Sequence, residues 1–139
     1  MKYYINTDGG SRGNPGNAAY GFVIKDKDGK IVESKGKFMG HATNNEAEYS
    51  AVIFGLAHLK NIVGDNAKQI DVEILADSEL LVRQMNGIYK VKNERLIKLF
   101  MEVWNAKAHF KSVTFTHVRR AQNKEADAMV NQALDDAIT

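Results

Sequence analysis

No cysteine occurs in the 139 residues, so the chain has no disulfide framework, no thiolate metal site and no cysteine nucleophile, and a reducing setting is expected. Proline is almost as scarce: the single one, Pro15, stands in Gly13-Asn14-Pro15-Gly16, and no repeat or low-complexity linker is present. No apolar run approaches the roughly 18 residues that cross a bilayer. The start, Met1-Lys2-Tyr3-Tyr4-Ile5-Asn6, lacks the basic and apolar regions of a signal peptide. These absences predict a soluble, cytoplasmic protein with no membrane partner.

What is there is ordinary in amount and uneven in place. Hydrophobic residues make up 44% and charged residues 26%, a globular balance, and the length predicts one domain over residues 1–139 with one active site or binding surface. Net charge is only +2, yet Arg83 to Lys124 holds ten Lys or Arg against two acids, a local +8 that leaves −6 for the remainder. A basic surface beside a cluster of acids suits a polyanion partner handled by a carboxylate metal site; a solvated helix face is the plainer alternative.

Lys2 to Thr7 reads as a strand, followed by a glycine-rich loop from Asp8 to Gly16. Ala19 to Lys25 and Ile31 to Phe38 are strands on either side of a tight turn at Asp28-Gly29, making an antiparallel meander. Asn44 to Leu59 is the first helix, with Ala47, Ala51, Phe54 and Leu59 as its apolar stripe and Asn44 or Asn45 as its cap. After a turn at Gly64-Asp65-Asn66, Ile70 to Ala76 alternates as a half-buried strand. A short helix spans Ser78 to Met85, and Asn93 caps an amphipathic helix to Ala106 whose stripe is Leu96, Leu99, Phe100 and Val103. Ser112 to Val118 is the last strand and Asn123 to Ile138 the closing helix. This βββαβααβα order predicts an α/β fold: a mixed five-stranded sheet with helices on both faces.

Four acids stand out only as a group. Asp8 alone is a turn residue, Asp77 alone a helix cap, Asp127 alone a favourable charge on a helix start, and Glu48 alone a solvent-facing glutamate. If the fourth strand lies beside the first, however, Asp8 and Asp77 open into one cleft at the strands' carboxyl ends, where α/β sheets bind ligands. A helix over that sheet adds Glu48, and the closing helix lays Asp127 on the rim. Four like charges in one cleft call for cations, and an all-oxygen donor set selects Mg²⁺ or Mn²⁺.

The motifs Thr7-Asp8-Gly9-Gly10-Ser11 with Gly13-Asn14-Pro15-Gly16, Thr43-Asn44-Asn45-Glu46-Ala47-Glu48-Tyr49, Ala76-Asp77-Ser78, and His117-Val118-Arg119-Arg120 with Asn123-Lys124-Glu125-Ala126-Asp127 resemble those of type 1 ribonuclease H over essentially the whole chain. The resemblance implies the ribonuclease H-like sheet, with strands 4 and 5 parallel to strand 1. It also implies an endonuclease that cuts the RNA strand of an RNA–DNA hybrid with two divalent ions, leaving 5′-phosphate and 3′-hydroxyl ends. Position by position, Asp8, Glu48, Asp77 and Asp127 match the family's metal carboxylates, and the glutamate three residues after the second asparagine is Glu48, not Glu46. Asn14, Asn44 and Asn45 resemble minor-groove and 2′-hydroxyl readers, Gly9, Gly10 and Ser11 let backbone approach the RNA, and Thr43 and Asn93 resemble members of a pocket for a DNA-strand phosphate.

The sequence departs from the best-known pattern in three ways. Gly87 to Asn93 passes directly where many bacterial members carry a basic protrusion. No histidine matches the mobile one before the last carboxylate, so Arg120 is the substitute candidate, while His117 on its strand is not expected to be catalytic. No separate amino-terminal hybrid-binding domain is recognised, so processive binding is not expected; without protrusion or accessory binder, weak, strongly salt-dependent binding is expected, and the chain is expected to be a monomer. The compact form resembles the archaeal-type branch, some of whose members also accept duplex RNA. A non-catalytic binding module and the integrase or resolvase relatives of the fold are the competing readings; the carboxylates weigh against the first and Thr43-Asn44-Asn45 against the second.

Overall fold

In the computed structural model, which describes residues 1–138, the first strand does not stop at Thr7. β1 (Lys2–Arg12) runs on through the glycine-rich stretch because β2 (Gly16–Lys25) pairs with it antiparallel all the way from Tyr4↔Lys25 to Arg12↔Asn17. The ladder outweighs the poor strand propensity of Asp8, Gly9 and Gly10, and the expected loop shrinks to its tip. β3 (Ile31–Ala42) likewise runs past Phe38, antiparallel to β2.

β4 (Asp71–Ala76) pairs parallel with β1, and β5 (Ser112–His117) parallel with β4, giving the order β3-β2-β1-β4-β5. This is the mixed sheet that the resemblance implies. Neighbouring residues of β2 join different clusters: Ala19 packs with Val130 and Leu134 on one face, Tyr20, Phe22 and Ile24 with the larger core on the other. The larger core is closed by α1 (Asn44–Val63), α2 (Glu79–Met85) and α3 (Glu94–Lys107), the smaller by α4 (Lys124–Ala137).

Most differences from the sequence reading lie at element ends. β4 starts at Asp71 rather than Ile70, β5 ends at His117, and α4 is a residue shorter at each end. The turn at Gly64 is a 3-10 helix over Gly64–Gln69, reached by an α1 that continues past Leu59. One side chain is reassigned: Phe54 is 43% exposed, its ring 4.9 Å from that of Tyr20. The buried row is Ala47, Ala51, Gly55 and Leu59, and Gly55 gives no hydrophobic signal; a Cβ there would lie 3.2 Å from Ile5 Cγ2. Thr139, the last residue of the expected domain, lies outside the described residues. Among the described residues no helix is long and apolar enough to cross a membrane.

Candidate active site

The cleft exists because β4 ends before β1 does. Their last pair is Thr7↔Ala76, so from Asp8 onward β1 is paired only on its β2 side. Beyond Ala76, whose carbonyl accepts the Val118 N–H at 2.9 Å, the chain turns into α2. The cap of that helix is Ser78, whose Oγ accepts from Leu81 N at 3.2 Å. Asp77 is therefore not the cap, and its carboxylate lines the cleft beside Asp8.

Glu48 arrives from the other side on α1. Thr43, rather than Asn44 or Asn45, caps this helix in a reciprocal box: Thr43 Oγ1 accepts from Glu46 N at 3.1 Å and Glu46 Oε1 from Thr43 N at 3.0 Å. Glu46 is thus occupied in capping. The α1 backbone crosses so close to β1 that a Cβ on Gly9 would lie 2.2 Å from Ala47 C and 2.4 Å from Glu48 N. Gly9 is required by this crossing, a reason the sequence did not reveal.

The outcome is a trio: carboxylate oxygens of Asp8, Glu48 and Asp77 lie within 4.8 Å of one another. Asp127, half-buried on α4, lines the same cleft of about 580 Å³ but stands outside the trio. Asp8 is only 5% exposed, and burial pushes its carboxyl from 3.8 up to about 8, helped by the charge of Asp77 and the hydrogen bond and charge of Asp127. Burial also holds Glu48 well above the usual carboxylate range, reinforced by Asp8 and Asp77 and opposed by the Gly9 N–H and Arg120. Glu48 Oε2 and Asp77 Oδ2 are buried and accept no hydrogen bond. Buried carboxylate oxygens left without donors are costly, and a hard divalent cation is the partner such a donor set fits.

Arg120, on a short 3-10 turn at Arg120–Gln122, is 84% exposed and brings Nε to 3.9 Å from Asp77 Oδ2. Gly9, Gly10, Ser11, Asn44 and Asn45 line the cleft with it. Asn44 Oδ1 accepts from Ser11 N at 2.8 Å and Ser11 Oγ at 3.1 Å, while Asn44 N donates to Asn14 Oδ1 at 3.1 Å. A second cleft, of about 560 Å³, brings Thr43 and Asn93 together with Asn14, Asn45 and Arg95. Asn93 caps α3 by accepting from Arg95 N at 2.9 Å and Leu96 N at 3.2 Å. His117 is exposed and lines a separate small cleft with Glu79 and Arg83.

Sequence reasoning passed over two groups. Gly21 and Gly36, paired across β2 and β3, seat α4: Cβ atoms there would lie 2.8 Å from Ala126 O and 2.2 Å from Met129 O. Asn6 and Asn123 are buried and hydrogen-bonded to each other beside Asp8. Asn6 had a signal, being a poor strand former on the face that Asp8 shares; Asn123 had none outside its motif.

A sheet ordered β3-β2-β1-β4-β5 with buried acids where β1 outruns β4 defines the ribonuclease H-like class. A family model described as reverse transcriptase-like matches residues 6–133. Ribonuclease HI of Halobacterium salinarum is 41% identical over 130 residues, covering 94% of this chain and 63% of that protein. A bifunctional protein of Mycobacterium tuberculosis is 40% identical over 141 residues, 99% of this chain and 36% of that protein. The chain thus spans about a third of the mycobacterial relatives it matches. Among solved structures, LC11-RNase H1, isolated from compost by a metagenomic approach and solved in complex with an RNA/DNA hybrid, superposes with a TM-score of 0.94 at 41% identity over 99% of each chain. RNase H1 of Halobacterium salinarum gives 0.91 at 38% identity over 98% of this chain and 99% of that one. The chain belongs to the type 1 ribonuclease H family.

Proposed function

We propose that residues 1–139 form a single catalytic domain, acting as a monomer in the cytoplasm, that hydrolyses the RNA strand of RNA–DNA hybrids and leaves 5′-phosphate and 3′-hydroxyl ends. The observation that carries this is the trio of buried Asp8 and Glu48 with half-buried Asp77, in which Glu48 Oε2 and Asp77 Oδ2 accept no hydrogen bond, in a cleft lined by small polar residues. The likeness to LC11-RNase H1, which binds an RNA/DNA hybrid, supports the choice of substrate.

Asp8, Glu48, Asp77 and Asp127 would hold two Mg²⁺ ions, with Mn²⁺ as a substitute. Bound there, such ions supply an activated water, neutralise phosphate charge and stabilise the leaving oxygen. The chain's own groups do the rest. Asn44, with Oδ1 engaged by Ser11, has its amide NH₂ left to donate to a 2′-hydroxyl. Asn14 and Asn45 extend that row, and Gly9, Gly10 and Ser11 offer backbone to the shallow minor groove. Thr43 and Asn93 stand at two helix N-termini in the second cleft, which Glu46, Glu94 and Arg95 also line, and the two N-termini suit a phosphate of the DNA strand. Arg120, 84% exposed and 3.9 Å from Asp77 Oδ2, steadies the scissile phosphate or helps product depart.

The test is a substrate panel: labelled hybrid, duplex DNA and duplex RNA, each with Mg²⁺, Mn²⁺ or EDTA. The RNA strand of the hybrid is expected to be cut only with cation. Asp8→Asn and Asp77→Asn should abolish cutting while hybrid binding survives. Glu48→Gln should do the same, whereas Glu46→Gln, which keeps the acceptor the capping box needs, should leave the rate within about twofold. Metal-independent cutting, or equal losses at Glu46 and Glu48, would sink the assignment. The duplex RNA arm decides whether the site takes that substrate too.

A further inference from the structure

We propose that Asn123, held by Asn6, is a positioning residue that fixes Asp127 and Arg120 relative to Asp8 and so sets the cation affinity of the cleft; the inference rests on the function proposed above. Asn123 is 1% exposed and bonded in four directions. Its Nδ2 donates to the Thr7 carbonyl at 2.8 Å, and its Oδ1 accepts from Asn6 Nδ2 at 3.0 Å. Both partners are in β1 next to Asp8, where β4 has just ended. Its backbone reaches the other cleft groups: Asn123 O accepts the N–H of Asp127 at 3.0 Å, and Asn123 N donates to Arg120 O at 3.0 Å. One side chain therefore ties the start of α4, and the turn that carries Arg120, to the strand that carries Asp8.

The chemistry of the position explains why it is an amide. It must donate to a carbonyl from one atom and accept from Asn6 at another, which the amide of Asn does without charge. Aspartate of the same shape would face Thr7 O with no donor and would add a negative charge beside Asp8, Glu48 and Asp77. Alanine would leave the Thr7 carbonyl and the Asn6 amide buried and unpaired. Asn6 holds only one of the two bonds, so its removal loosens the clasp without opening it. Partners that orient metal ligands from behind typically change metal affinity by about 10- to 100-fold when lost.

The experiment compares wild type, Asn6→Ala, Asn123→Ala and Asn123→Asp by Mn²⁺ titration calorimetry, with circular dichroism to fix a temperature at which each is folded, and by kcat and KM on hybrid. Asn123→Ala and Asn123→Asp are expected to bind Mn²⁺ about tenfold more weakly or worse, and Asn6→Ala about threefold more weakly. The loss should fall on kcat at a fixed cation concentration and be recovered by raising that concentration, with KM for hybrid within about twofold. If Asn123 variants do not fold, Asn6→Ala decides alone. Folded variants with Mn²⁺ affinity equal to wild type overturn the inference, since a merely structural role would lower melting temperature only. A wild type that binds no Mn²⁺ overturns the proposed function and this inference with it; a normal wild type with unaltered variants overturns this inference alone.

Discussion

Asp8 carries a conflict that a single residue cannot resolve. Buried beside two acids, with a third on the rim, its carboxyl is pushed from 3.8 to about 8, so between those values the folded protein holds a proton that the unfolded chain releases. Stability then falls as pH rises through that window, because the native state binds more protons than the unfolded one; the contribution of Asp8 is fully present below about 4 and lost by about 8. Glu48, shifted in the same direction, adds to the slope. Divalent cations need the ionised carboxylates, so their binding should expel protons and tighten as pH rises. The expected result is a melting temperature, measured in EDTA, that declines between pH 5 and pH 8.5 and flattens when millimolar Mg²⁺ is added. Asp8→Asn, uncharged at every pH, should remove much of the decline and melt several degrees above wild type at pH 8, although inactive. A metal-free melting temperature that climbs with pH would show that the acids do not repel as their burial implies.

Between elements, glycine controls how closely backbones approach, and here the sequence was least legible. Gly9 and Gly10 look equivalent in the motif, yet a Cβ on Gly9 would strike the α1 backbone at 2.2 Å, while one on Gly10 would rest 3.8 Å from Val130 Cγ1. Gly9→Ala should therefore cost at least about 3 kcal/mol, the upper end for overpacked cores, because the atoms it meets are backbone, and displace Glu48; Gly10→Ala should stay within about 0.5 kcal/mol. Urea unfolding distinguishes them. If Gly10 offers its backbone to RNA, Gly10→Ala raises KM for hybrid in an otherwise stable protein. The strand and helix order and the grouping of Asp8, Glu48 and Asp77 in one cleft could be read because alternation, capping residues and the family motifs are local in the chain. The length of β1, the burial of Gly55 and the seating of α4 on Gly21 and Gly36 could not, because each depends on a partner strand or helix far along the chain. The Asn6 to Asn123 bond, spanning 117 positions, is the extreme case: nothing local in the chain showed that these two asparagines are partners.

For the molecule as a whole, the basic segment of +8 between Arg83 and Lys124 divides once folded. Arg95 lines the second cleft and Arg120 the first. Lys111 adjoins Ser112 at the opposite end of β5 from Arg119 and Arg120, and Lys107 lies 4.4 Å from the centre of the Trp104 ring on α3. A six-residue strand is about 20 Å long, twice the Debye length of about 10 Å at 0.1 M salt, so charges at the far end would be screened from a hybrid seated in the clefts as proposed. On that reading the sequence count overstates the binding charge. Hybrid affinity, measured by fluorescence anisotropy in the Asp8→Asn background to prevent cutting, should fall steeply with salt. Arg95→Ala should weaken it and shallow the log–log salt slope by about one, the signature of one lost phosphate contact. Lys111→Ala should change neither affinity nor slope. Equal slope changes for Arg95→Ala and Lys111→Ala would mean that the hybrid meets the whole basic segment, and that the two clefts do not define where it lies.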